Sequence, residues 1–222
     1  MCAHIDAIKR FVGYFRDQEA VIASVQPIMY RKLIYAAALE PIARSAFGKV
    51  DKHRAKSLRL IDELTNWLDR DRVSLPQLCL ALEDSGYVSS PLFVEAKARL
   101  KAWCPGEVVR LSVSPLLSEL MPIAQESEKS ILVSCRYAEL YYTYRNNLVH
   151  EFREPGYGIE MPVDKHQPYY HGMIDNPWQL VFPVGFFARL YVEALAGLEA
   201  LLMRDDIDPY SQLEFGSRWR AK

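Results

Sequence analysis

Paired cysteines are missing from this chain: Cys2, Cys79, Cys104 and Cys135 are scattered without a C-x-x-C pair, which argues against a disulfide framework or a thiolate metal knuckle. Charge of one sign is missing as well. The formal net charge is -1, from 27 basic and 28 acidic side chains, so the molecule as a whole is no polycation, and any anionic partner must be met by a local patch. There is no long unbroken apolar run. The most apolar stretch, LVFPVGFFARLYVEALAGLEALLM from Leu180, is interrupted by Pro183, Arg189, Glu193 and Glu199, which suits a core helix and would be resisted at a bilayer centre. The start, MCAHIDAIKR, lacks the apolar segment of a signal peptide, and with the cysteine usage this predicts a cytoplasmic protein with no membrane partner. No phosphate-cradling glycine loop, G-x-S-x-G elbow, H-E-x-x-H helix or internal repeat is present, which removes the chemistries those patterns carry.

What remains is a 222-residue chain, 50% hydrophobic and 25% charged, a balance that predicts one all-α domain over 1–222 with six to seven helices. Ile5, Ile8, Val12 and Phe15 follow helical spacing, and a second helix opens at Pro27 and is kinked or ended by Pro41. Asp51 is the expected cap of a third, Ser74 with Gln77 of a fourth, and Ser90-Pro91 opens a fifth. EVVRLSV (107–113) alternates like a short strand, and SPLLSELMP reads as one or two helical turns opened by Ser114-Pro115. Ser127 is expected to cap a long helix to Phe152, stopped by Pro155-Gly156. PYYHGMI and WQLVFP, on either side of Asp175-Asn176-Pro177, predict a small inserted hairpin at about 168–183. The last helix runs from about Val184 to Met203, and the C-terminal tail from about 205 to 222.

Near the end of the predicted long helix, YRNNLVHEF (144–152) holds Arg145, Asn146 and, five positions after the arginine, His150. Seventeen arginines and 5 histidines give about one accidental match to an Arg followed five to seven residues later by His; requiring Asn, Asp or His directly after the arginine lowers this to roughly 0.1. At about 100° per residue, Tyr142, Asn146, His150 and Arg153 form one polar stripe, while Arg145 sits on the flank beside Tyr141, Leu148 and Phe152. Imidazole is suited to proton transfer near neutral pH, and guanidinium to charge on a phosphorane. Arg145, Asn146 and His150 are therefore the candidate catalytic residues. Arg153 and Tyr142 are candidates for holding phosphates or a base. The bland alternative is ordinary helix, with Arg145 paired to Glu139 or Glu151, His150 capping the helix end and Asn146 simply exposed.

These residues resemble the HEPN superfamily, whose nuclease members carry Arg, a polar residue, three to five further residues and then His. The resemblance implies a helical bundle that dimerises so that two motifs face each other, cutting RNA with no metal and no cofactor. It also implies toxin–antitoxin or phage-defence contexts, in which an antitoxin or activator protein is a partner. The rival function is a catalytically silent HEPN-like module that binds RNA, a nucleotide or a partner protein. His166 and His171, near Asp164 and Asp175, do not match metal-ligand spacing, so no metal site is expected. The cations at 49–59 and in SRWRAK read as solvated surface.

Overall fold

Two helix starts in this chain are set where a side chain takes an orphan backbone N–H. A computed structural model describes residues 3–48, 52–158, 160–162, 165–173 and 175–212. In it Ser74 Oγ accepts from Gln77 N at 3.1 Å to open α4 (Leu75–Asp84), and Ser90 Oγ accepts from Phe93 N at 3.1 Å to open α5 (Pro91–Leu100). Both caps are those the sequence predicts. The protein is all-α with a small β element: nine α-helices and one three-stranded antiparallel sheet among the described residues. No helix among them is long and apolar enough to cross a membrane.

The chain divides into two compact units. The first comprises residues 1–66 and 187–222. It holds α1 (Ile5–Ser24), α2 (Ile28–Phe47), α3 (His53–Leu64) and most of the terminal helix, Val184–Asp205. Pro27 is the N-cap of α2, and the helix continues through Pro41 to Phe47 without ending there. The expected cap Asp51 lies outside the described residues, as does the tail beyond 212. Ile8, Val12, Tyr35, Ile42, Leu190 and Leu198 are buried, and Tyr191 donates its hydroxyl to Phe15 O at 2.6 Å. Gly197 is required here: a Cβ at that position would lie 2.4 Å from Leu64 O and 2.8 Å from Leu64 Cα. The close backbone approach that glycine permits is thus taken up within this unit.

The second unit, 67–186, carries α4, α5, short helices α6 (Leu117–Leu120) and α7 (Lys129–Ser134), helix α8 (Tyr137–Asn146) and strands β1 (Val109–Arg110), β2 (Tyr169–Tyr170) and β3 (Leu180–Val181). The terminal helix is α9. The predicted hairpin is β2 and β3, paired antiparallel with Tyr169 opposite Val181. β1 adds a third strand, with Val109 opposite Tyr170. The strand expected over 107–113 is shorter than its alternation suggests, because β2 offers only two residues to pair with, and Leu111–Val113 turns into 3-10 helix. Trp67, Tyr141, Phe182 and Phe186 form a ring cluster, with Trp67 and Phe186 centroids 4.9 Å apart. Burial of such side chains contributes about 1.5 to 3 kcal/mol each. Ser74 Oγ and Tyr170 OH are 2.5 Å apart, and Ser114 Oγ and Tyr137 OH 2.7 Å, so these buried hydroxyls satisfy one another.

The single long helix expected from Ser127 to Phe152 is instead two. Cys135 ends α7, and Arg136 is extended, with ψ 140. The cause is tertiary: Ser74 N donates to Cys135 O at 3.0 Å, Tyr137 N to Arg72 O at 3.0 Å, and Val73 bridges Arg136. Ser127 lies inside a 3-10 turn whose first N–H, that of Gln125, is taken by Glu128. α6 is likewise opened at Leu116, whose N–H is taken by Glu119 at 2.9 Å, and not at Ser114.

Candidate functional site

Helix α8 is built by its tyrosines. Tyr137, Tyr141 and Tyr144 are buried, and they anchor one side of the helix in the second unit's aromatic core. Arg145, next in sequence to Tyr144, is carried inward with them and is 6% exposed. Its Nη1 donates to Asn146 Oδ1 at 3.1 Å. The guanidinium also lies near Tyr141, whose hydroxyl pKa burial pushes up and the arginine's charge pulls partly back. Asn146 therefore has the Arg145 guanidinium as its partner.

After Asn146 the helix changes type. Asn147–Glu151 form one π turn, and Phe152 follows in the left-handed region at φ 57, ψ 36. π turns inside helices are rare and concentrate at functional sites. A bulky residue at positive φ is a genuine outlier and costs on the order of 1 to 2 kcal/mol. Here Phe152 is 55% exposed, so deep burial of its ring does not explain the conformation. The bend is held by Asn147 O, which accepts from both Phe152 N and Arg153 N. Just beyond, Tyr144 OH donates to Glu154, tying the outgoing loop back onto α8.

His150 sits on the π turn and is exposed. The wider turn has a geometric consequence. The stripe of Tyr142, Asn146, His150 and Arg153 assumes a uniform α-helix, and the π turn interrupts it after Asn146. Each residue of a π turn advances by less than in an α-helix, which rotates His150 back toward the side of Arg145. Arg153 lies beyond the left-handed residue, off the helix, and its Nη2 is 2.5 Å from Glu151 Oε2. Glu151 thus pairs with Arg153. Tyr142 is half-buried on α8.

Arg145 and Asn146 are brought into contact, His150 is placed at the exposed end of the same helix, and Arg153 is turned onto Glu151. The arrangement offers a fixed cation and a solvent-accessible imidazole within a few residues of one strained bend. The opposite face of α8 has a feature with no counterpart in the motif: Leu140, Thr143 and Tyr144 line a pocket of about 680 Å³. Its walls come from segments as distant as Pro76 and Phe182, so no local pattern in the sequence marks them.

Comparison with protein-family models, with curated proteins and with solved structures gives no match. The resemblance to the HEPN superfamily consequently rests on Arg145, Asn146 and His150 and on the all-α architecture.

Proposed function

We propose that the chain is a metal-independent endoribonuclease of HEPN type, with Arg145, Asn146 and His150 as its reacting constellation. The observation that supports this most is the coincidence of the Arg–Asn–x3–His motif with the π turn at Asn147–Glu151 and the left-handed Phe152, since strained and irregular backbone gathers where function holds it. In this reading His150 accepts the proton of an RNA 2′-hydroxyl as that oxygen bonds to phosphorus. The bond from phosphorus to the 5′-oxygen breaks, and a protonated imidazole supplies the proton that the leaving oxygen takes up. Arg145, steered by Asn146, faces the charge that builds on the phosphorane.

Two proton-transfer roles and one imidazole per motif favour a homodimer in which two motifs face each other. The cellular role that accompanies this reading is a toxin or phage-defence effector restrained or triggered by an antitoxin or activator protein.

The second reading, a silent module that binds RNA, a nucleotide or a protein, draws on one observation: Arg145 is 6% exposed, which limits its reach to a substrate. Incubating the purified chain with RNA and EDTA separates the two. Fragments ending in 2′,3′-cyclic phosphate and 5′-hydroxyl, lost in His150→Ala, support the nuclease. Binding with no cleavage supports the silent module, and 5′-phosphate ends or sensitivity to chelator overturn the proposed chemistry.

A further inference from the structure

The pocket against α8 has its own chemistry. Its volume, about 680 Å³, is in the range that small-molecule sites occupy. Trp103, Tyr144, Trp178 and Phe182 are among the residues that line it. Trp103 and Trp178 meet edge to face at 5.4 Å, and Trp103 is backed by Tyr170 at 5.3 Å. Tyr144 is held by the Phe182 ring at 5.0 Å and, through its hydroxyl, by Glu154. These rings are therefore fixed by neighbours before any ligand arrives.

The polar groups around them include Gln77, Thr143 and Asn176, which can donate or accept, and two lysines. Glu83 is the single carboxylate of the lining among the described residues, and Lys97 Nζ already lies 3.0 Å from its Oε1. That hydrogen bond raises the Lys97 pKa. Lys101 also lines the pocket and has no carboxylate partner among the described residues. The Gln179 side-chain oxygen is occupied by Tyr157 N at 3.0 Å, which leaves its amide NH₂ as the group it can offer. A ligand with acceptor oxygens and negative charge would find the Lys101 ammonium, the Lys97 ammonium bonded to Glu83, and the Gln179 amide.

We infer that this pocket is a binding site for a flat aromatic ring carrying one anionic group, a carboxylate or a phosphate. The ring lies along the Trp103, Trp178 and Tyr144 surface, and the anion meets Lys101 and Lys97 at the mouth. None of Arg145, Asn146 and His150 lines the pocket, so the site stands independently of the nuclease reading.

The test is titration of the full chain by calorimetry, with the indole N–H signals of its four tryptophans followed by NMR. The probes are adenosine 5′-monophosphate and 2-naphthoate, with adenosine, 2-naphthalenemethanol and inorganic phosphate as counterparts lacking the anion or the ring. At least one ringed anion should bind tenfold or more tightly than its counterparts and shift the Trp103 and Trp178 signals. Preference for the nucleotide identifies a nucleoside phosphate as the ligand type, and preference for the naphthoate an aryl carboxylate. Lys101→Ala should weaken binding about tenfold, and Leu80→Trp, which places a ring in the pocket from an exposed lining position, should abolish it. No binding of either ringed anion up to about 1 mM, equal binding of the neutral rings, or unchanged affinity in Lys101→Ala overturns the inference.

Discussion

Arg145 Nη1 and Asn146 Oδ1 lie 3.1 Å apart, so neighbours in sequence are also partners in space, and the asparagine fixes the direction of a guanidinium that is almost wholly buried. Loss of that partner should cost cleavage by misdirecting the cation. Under the nuclease proposal Arg145→Ala and His150→Ala each lower the rate of RNA cleavage by about 10² to 10⁴-fold. Asn146→Ala should produce a smaller loss and Asn146→Asp a partial rescue, because the carboxylate still accepts from the arginine. Rates and melting curves measured on the same preparations decide the matter: lowered melting with unchanged rates would retire the nuclease.

Phe152 is where the backbone can be relieved. Phe152→Gly removes the penalty of positive φ and should stabilise the fold by about 1 kcal/mol, a rise of roughly 2 to 4 °C in Tm. If the bend serves the site, the same variant loses activity as glycine frees the backbone around His150. Calorimetry together with the cleavage assay checks both halves, and an unchanged or lowered Tm would show that the Phe152 side chain compensates its own strain.

Alkaline pH should weaken the fold. Burial pushes the Cys135 thiol from 9.0 up to about 11, and burial also pushes the hydroxyls of Tyr137, Tyr141 and Tyr170 upward. These acids hold their protons more tightly in the folded chain than in the unfolded one. The stability linked to them is therefore complete below the unfolded value and drains away as pH climbs through the folded value. For Cys135 the window is about pH 9 to 11, and the loss on the order of 2 to 3 kcal/mol. Denaturant melts from pH 8 to 11 should fall steadily, less steeply in Cys135→Ala, and tyrosinate absorbance from the buried rings should appear only as the chain unfolds. Identical slopes in the two proteins would refute the assignment to Cys135.

Gly197→Ala should destabilise the first unit by about 1 to 3 kcal/mol, because the new methyl meets Leu64 backbone atoms that cannot yield. Gly197 is engaged with Leu64, while Val192, Ala196 and Ala200 are exposed along one side of α9. If the proposed homodimer uses that side, Ala196→Glu should convert it to monomer with little change in Tm, as read by light scattering. A dimer untouched by this variant would place the interface elsewhere.

The sequence was most legible where structure is local. Ser74 and Ser90-Pro91 announce their helices because a cap needs only the next three residues, and the two aromatic runs around Asp175-Asn176-Pro177 carry their own pairing signal. The break at Cys135–Arg136 was not legible, since nothing in those residues opposes a helix; Arg72, Val73 and Ser74, more than sixty positions away, pull the backbone out of it. The π turn escaped for a related reason: periodicity assumes one turn width, and NNLVH contains no glycine or proline to mark a change. Arg145, Asn146 and His150 could be picked out by spacing, but the contact between Arg145 and Asn146 depends on which side of α8 the tyrosines bury. The pocket had no signal at all, because Lys97, Trp103, Tyr144 and Trp178 meet only after folding.

The division at residues 66 and 187 sets an order of assembly on the ribosome. The second unit is one uninterrupted stretch, so it can complete its core as soon as residue 186 has emerged. The first unit is made of two segments, one on either side of that stretch. Its helices α1 to α3 are synthesised before the second unit, yet Tyr191 and Gly197, which supply their partners at Phe15 and Leu64, emerge only after it. The nascent α1, α2 and α3 therefore wait with apolar faces uncovered for the whole time that the inserted unit takes to be made, a period in which a chaperone or premature release would have its greatest effect.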